Sequence, residues 1–307
     1  MDKFIDFQII KSLALKIGFQ DCGAIKVKEF DTFSFSNWLN KGYNAEMQYL
    51  ENYLEIRRKP SLLLENSKSI ISFITSYNIE TTDNKNNNPL KFASYSLYND
   101  YHKSIKQALY NLINCIQDIY PDFQAKVCID SAPLFEKLIA KESGLGWIGK
   151  NSLLINKTFG SKILIGEIIT NYSTDYNTYL EEDLCKDCVN CIGSCPNKAI
   201  LNDNIINANL CSSYQTIENK DSIPNNIELN GYVFGCDVCL STCPWNQKTA
   251  IKDSKILGLN PDMQDLLMAM NKDEMDKLLF KKAKKNSPIQ RIKYEKFISN
   301  IEKARKI

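Results

Sequence analysis

Apolar residues recur at helical spacing over the first 20 positions. Phe4, Phe7, Ile10, Leu13, Ala14 and Ile17 fall on one face, and Gly18 stops the run, which predicts a helix. Residues 68–77 are rich in β-branched and aromatic side chains and predict a strand. The polar run 81–88 predicts a loop, since so polar a segment gains little by burial. Asn99 or Asp100 can cap a helix running to about Tyr120, where Pro121 closes it. Residues 124–129 then predict a strand that delivers Asp130 at its C-terminal end. Pro133 suits the first turn of a following helix, which Gly144 ends, and residues 161–170 predict another strand. Strands alternating with helices to about residue 175 argue for an α/β or α+β domain.

Composition narrows the class. The 307 residues are 44% hydrophobic and 24% charged, as in an ordinary soluble globular protein. No stretch approaches ~18 consecutive apolar residues, so no membrane span is expected. The N-terminus carries acids and no long apolar run, which speaks against a secretory signal and for the cytoplasm. The formal net charge of +2 hides an asymmetry: residues 281–307 hold ten Lys/Arg against two Glu. A basic end on a mildly acidic body is a footprint for a polyanion such as RNA, or else a solvated helix face.

The eleven cysteines change the picture most, because seven fall in two short runs. In a cytosolic chain, clustered cysteines point to metal or redox chemistry. Cys185-x2-Cys188-x2-Cys191-x3-Cys195-Pro196 has the bacterial ferredoxin spacing. Its fourth cysteine, followed by proline, is not explained by a zinc site. Cys236-x2-Cys239-x3-Cys243-Pro244 is the same run without its first cysteine, where Val233 stands. If ligands swap as in two-cluster ferredoxins, one [4Fe-4S] cluster takes Cys185, Cys188, Cys191 and Cys243. The other takes Cys195, Cys236 and Cys239, with Cys211 the natural fourth. Cys22, Cys115 and Cys128 are then small apolar residues in or near the core.

About 180 residues precede the clusters, too many for a ferredoxin alone. No Gly-x-Gly-x-x-Gly and no Gly-x-x-x-x-Gly-Lys-Ser/Thr occurs, so Rossmann and P-loop readings lack support. The single histidine, His102, excludes His-rich metal sites and His-based triads; near a helix start it reads as a surface or packing residue. Asp130 stands where a strand meets a helix, a place that faces a ligand crevice or simply caps the helix. In Gly144-Leu145-Gly146-Trp147-Ile148-Gly149-Lys150-Asn151, three glycines around a tryptophan make a tight loop. Its backbone can approach a large flat ligand, or it is a packed turn.

Together, Asp130-Ser131-Ala132-Pro133-Leu134-Phe135-Glu136-Lys137, the glycine loop and the ferredoxin run resemble epoxyqueuosine reductases. Residues 95–102 (ending Asn-Asp-Tyr-His), 211–218 and 234–246 extend the resemblance, which runs from about residue 10 to the end. Some relatives continue into a C-terminal helical-repeat domain, to which the resemblance assigns no residues here. The resemblance implies a cobalamin-dependent enzyme of queuosine biosynthesis, with two [4Fe-4S] clusters, that removes the epoxide oxygen from epoxyqueuosine at the tRNA wobble position. It implies Asp130 as proton donor, which burial against an apolar corrin would keep protonated through a raised pKa. By motif position the cobalamin contacts are Arg57, Asp130, Ser152, Leu154, Ser213 and Asp237. The basic tail, with Tyr294 and Phe297 interleaved, then reads as a tRNA contact. The fold expected is α+β: a cobalamin- and substrate-binding α/β domain (1–175), a ferredoxin-like two-cluster module (176–250) and a basic helical segment (251–307). A monomer fed by an external electron donor is implied. The alternatives are a corrinoid reductive dehalogenase and a non-catalytic Fe–S electron carrier or corrinoid activator.

Overall fold

The computed structural model describes residues 3–77, 90–176, 179–201, 204–247, 254–272 and 274–305. The loop expected over 81–88 lies outside them. The chain runs through α1 (Phe7–Ile17), β1 (Asp21–Lys26), α2 (Phe33–Asn40), α3 (Leu54–Arg58), β2 (Ser69–Ser76) and β3 (Lys91–Phe92). It continues through α4 (Tyr101–Gln117), β4 (Ala125–Cys128), α5 (Glu136–Glu142), β5 (Trp147–Ile148), β6 (Leu154–Ile155) and β7 (Ile163–Thr170). The second half holds α6 (Asn190–Ser194), α7 (Ser212–Ile217), β8 (Tyr232–Phe234), α8 (Val238–Ser241) and α9 (Pro244–Gln247). Three helices, α10 (Pro261–Lys272), α11 (Lys277–Lys284) and α12 (Tyr294–Arg305), complete it.

The fold is mixed α and β, as expected. Its main sheet has the order β1-β2-β7-β4 and is antiparallel at every pairing. Strand β2 is buried along its whole length, so both faces must be covered. Ile71 and Phe73 of β2 and Ile168 of β7 share a core with Ile10 and Ala14 of α1 and with Ile105, Leu109 and Leu112 of α4. Ile70 and Ile169 point to the opposite face, where Ile139 of α5 meets them.

Local chemistry sets the helix ends. Asp6 caps α1 by accepting from the Gln8 N–H at 2.8 Å, and Gly18 ends it at φ 122°. Phe4 lies outside that helix, bridged to Ser173 and half exposed. Helix α4 begins after Asp100, whose carboxylate takes the His102 N–H at 3.1 Å. Pro133 does not open α5, which starts at Glu136; the backbone first turns through Ala132 N–H to Ile129 O and Leu134 N–H to Ala132 O.

The second half is tied to the first by backbone. Strand β3 pairs in parallel with β8, immediately before the second cysteine run. Phe92 and Phe234 share a core with Met263, Phe280, Phe297 and Ile301 of the three C-terminal helices. Phe297 is fully buried and stacks on Phe280 and Phe92, while Tyr294 packs edge-on against Phe280. Of the two aromatics of the basic segment, Phe297 is therefore core and Tyr294 is half-buried against it, because helical spacing turns both inward. Several of its cations are held by the protein itself. Lys282 pairs with Asp262, Arg291 with Glu218, and the Lys284, Lys296 and Lys303 ammonium groups donate to backbone carbonyls.

One close approach seats α4 on the sheet. A Cβ on Gly166 of β7 would lie 2.6 Å from Ile105 Cγ2 and 3.1 Å from Leu109 Cδ1. Gly166→Val is expected to overpack this contact and lower stability by about 1–3 kcal/mol. Thermal unfolding measures it, and an unchanged midpoint would mean that α4 is not held by this contact.

Candidate functional site

Strand β4 ends at Cys128, and the chain reaches Asp130 with φ 45°, a left-handed conformation that is uncommon outside glycine. Asp130 is not a helix cap: α5 begins six residues later. Its carboxylate, 54% exposed, faces a cleft and is met by two side chains of α4. His102 Nε2 lies 2.8 Å from Asp130 Oδ2, and the Tyr101 hydroxyl donates to the same oxygen at 3.3 Å. On its other side His102 Nδ1 lies 2.9 Å from Asp100 Oδ1, and the Gln290 amide donates to Asp100 Oδ2 at 2.6 Å.

This arrangement sets the charges. Burial opposes a charged imidazole, but the hydrogen bonds to Asp100 and Asp130 outweigh it and raise the pKa of His102 to about 9. The His102 hydrogen bond, against the effect of burial, holds Asp130 below the usual carboxylate range. The expected upward shift of Asp130 is therefore reversed: the proton resides on the imidazole of an ion pair. His102, read from its position as a packing residue, belongs to the site. Its partner lies 28 residues away; its being the only histidine and its place at the end of the Asn-Asp-Tyr-His run were the available signals. Burial and the Asp130 charge raise the pKa of Glu136 on the same wall.

Asp130 opens onto the first of three cavities that follow one another into the cysteine-bearing half. Asp130, Tyr101, Glu136 and Leu154 line one of about 120 Å³. It shares Tyr101, Leu153, Ser161, Ile163 and Leu164 with a second of about 380 Å³, and the two form one cleft. The far wall of that cleft carries Cys195, Cys211, Cys236 and Cys239, together with Ser213 and Asp237. Cys185, Cys188, Cys191 and Cys243 line a third cavity of about 230 Å³. The eight cysteines of the predicted sets thus fall into two groups of four, all as free thiols. Among the described residues no three His, Cys, Asp or Glu side chains converge as they would on one metal ion. Thiols set apart around a cavity suit a multi-atom cluster better than zinc.

The remaining expected contacts divide. Leu154, Ser213 and Asp237 face the cleft, and Asp237 already accepts from the Ser94 N–H at 2.7 Å. Arg57 and Ser152 are not on its walls. Arg57 donates to Leu134 O at 3.1 Å and lies over the Phe35 ring, while the Ser152 hydroxyl donates to Asn204 O. The glycine loop is a packed hairpin: a Cβ on Gly146, at φ 142°, would lie 2.0 Å from Ile155 O. Trp147 is buried against Trp245 and donates its indole N–H to Cys185 Sγ at 3.5 Å, so it faces the cysteine module and not a cleft ligand.

A proton-bearing pair on one wall of a cleft and a thiol-lined wall opposite define an oxidoreductase that joins electron transfer to protonation. Residues 184–246 match the family described as 4Fe-4S double cluster binding domain, and residues 57–131 match Epoxyqueuosine reductase QueG, DUF1730. An epoxyqueuosine reductase from Cyclobacterium marinum is 36% identical over 298 residues, 96% of this chain and 95% of that protein. The structure of epoxyqueuosine reductase from Streptococcus thermophilus is 27% identical, with a TM-score of 0.79, over 97% of this chain and 79% of that one. At 23% identity and a TM-score of 0.80, over 97% of this chain and 80% of that one, the fold also matches an epoxyqueuosine reductase crystallised with an epoxyqueuosine-modified tRNA-Tyr stem loop. The chain belongs to the epoxyqueuosine reductase family.

Because His102 is the only histidine, its titration can be read directly by NMR. We expect a midpoint near 9, falling toward the ordinary value of 6.5 in Asp130→Asn. The sign follows from a raised folded-state pKa: the pair's stabilisation is full below about 6.5 and is lost as pH rises through about 9. A wild-type midpoint at the ordinary value would remove the ion pair.

Proposed function

We propose that this chain reduces epoxyqueuosine at the wobble position of tRNA to queuosine, with Asp130 as the proton donor. The observation that carries the reading is the His102–Asp130 pair facing a cleft whose opposite wall bears four cysteines. A non-catalytic electron carrier has no use for an acid there. Removing the epoxide oxygen as water consumes two electrons and two protons and leaves a carbon–carbon double bond. We assign one [4Fe-4S] cluster to Cys185, Cys188, Cys191 and Cys243, and the other to Cys195, Cys211, Cys236 and Cys239.

Cobalamin is the electron acceptor we place in the cleft. Its apolar floor of Leu153, Ile163 and Leu164 fits a flat ring, and Leu154, Ser213 and Asp237 are the contacts we propose. When bound, cobalamin supplies the strongly reducing centre for carbon–oxygen cleavage. The protein's residues bind, orient and protonate. The proton that starts on His102 Nε2 passes to Asp130 Oδ2, and Asp130 hands it on to the departing oxygen, while Asp100 and Gln290 keep the imidazole aimed. Tyr101 fixes the carboxylate from the side.

The division we propose gives residues 1–175 to cobalamin and substrate, 176–250 to the clusters and 251–307 to helical support. The tRNA backbone would meet Lys281, Lys285 and Lys293, which are exposed and whose ammonium groups make no hydrogen bond or ion pair among the described residues. No helix of the described residues is long and apolar enough to cross a membrane, and a cytoplasmic monomer fed by an external donor fits a tRNA substrate.

The direct test reconstitutes the protein anaerobically with iron, sulfide and cobalamin, reduces it, and analyses nucleosides of epoxyqueuosine-containing tRNA by mass spectrometry. A cobalamin-dependent loss of one oxygen is expected; no conversion by a fully loaded protein would sink the reading. Asp130→Asn should keep the iron and corrin content and lose roughly 10²–10⁴-fold in rate. Replacing Lys281, Lys285 and Lys293 by Ala should weaken tRNA binding. The slope of log affinity against log salt should also become shallower by about 0.7–0.9 for each phosphate no longer neutralised. An unchanged slope would place the RNA on another face.

A further inference from the structure

Asn151 is the only residue on the walls of both cysteine-lined cavities among the described residues. It is 5% exposed, and its side-chain Nδ2 has no hydrogen-bond partner. The orientation of the amide is fixed by chemistry: Oδ1 accepts from the Leu153 N–H at 3.4 Å, which an NH2 group cannot do. The NH2 end is therefore the one left over. Gly149 makes room for this arrangement, since a Cβ there would stand 3.0 Å from Asn151 Oδ1. A buried donor without a partner is costly, and native proteins pair such groups or keep them for a bound species.

The surroundings indicate which species. Lys150 donates to Lys186 O at 2.6 Å, and Trp147 donates to Cys185 Sγ, so both sides of the loop are fastened to the first cysteine run. Lys150 and Ile155 line that run's cavity with Asn151. We propose that the Asn151 amide donates a hydrogen bond to a sulfur of the cluster seated among Cys185, Cys188, Cys191 and Cys243, and so raises its reduction potential. The inference rests on the cluster assignment above. Reduction adds negative charge to the cluster, and a donor aimed at its sulfur stabilises the reduced form. Asn151 is thus a positioning residue for electron delivery and takes no part in the bond cleavage.

The test is a reductive titration of the reconstituted holoprotein followed by electron paramagnetic resonance. Asn151→Leu removes the donor at similar volume, and Asn151→Asp keeps the Leu153 contact if the leucine variant fails to fold. Trp147→Phe, which removes the indole donor to Cys185, marks the step that belongs to the first cluster. Both Asn151 variants should move that same step to lower potential and leave the other in place. Unmoved potentials, or movement of the other step alone, would overturn the assignment of the amide. A parent protein with clearly fewer than about eight irons would overturn the cluster reading itself, and the proposal with it.

Discussion

The hydrogen bond between His102 Nε2 and Asp130 Oδ2 joins parts of the chain that are remote in sequence, and the site depends on it. His102 is placed by the first turn of α4, and α4 by its close packing on Gly166. Asp130 is placed by the end of β4, in a backbone conformation that carries strain unless its surroundings hold it. The imidazole and the Tyr101 hydroxyl both hold its carboxylate. Through Asp100 the same network reaches Gln290, in the C-terminal segment. A displacement of the C-terminal helices would therefore be felt at the acid.

Electrons and protons enter such a cleft from opposite sides, and the fold keeps the two machineries apart. The sheet and its helices carry the acid, the imidazole and the apolar floor, while the cysteine-bearing segments form the facing wall. Short parallel pairing of β3 with β8 fastens the two walls together by backbone. Thr216 Oγ1 accepts from the Gly235 N–H at 3.0 Å and fixes the approach to Cys236 from within.

What could be read from the chain and what could not follow from the range of the interactions. Cysteine spacing is a local signal, so both runs were legible, as were α4 from its cap and closing proline and β2 and β7 from their β-branched content. The role of His102 depends on a contact across 28 residues; the run ending Asn-Asp-Tyr-His contributed to the resemblance but did not say what the histidine meets. Glycines of the 144–151 loop were ambiguous because close backbone approach serves a hairpin as well as a ligand; here Ile155 fills the space. Phe297 and Tyr294 alternate with lysines along the sequence, yet a helix sorts the two kinds to different faces. The direction of the Asp130 shift was misjudged for a related reason. Burial alone raises a carboxyl, but a cation at hydrogen-bond distance prevails.

Cys211 shows how much of the cluster wall is tertiary. It lies between the two cysteine runs, with no second cysteine at ligand spacing beside it. It reaches the cavity because α7, which follows it, packs beside β8, which leads into Cys236. Those two segments are held in register from the C-terminal end of the chain. The buried Asn300 amide of α12 donates to Thr216 O and to Val233 O, each at 2.9 Å. One polar side chain in an otherwise apolar core thus satisfies two carbonyls and sets the distance between the elements that carry Cys211 and Cys236. Apolar packing alone would tolerate sliding of α7 against β8; a bidentate amide does not. The basic helices therefore serve the metal-binding wall through an uncharged residue, whatever their lysines bind outside.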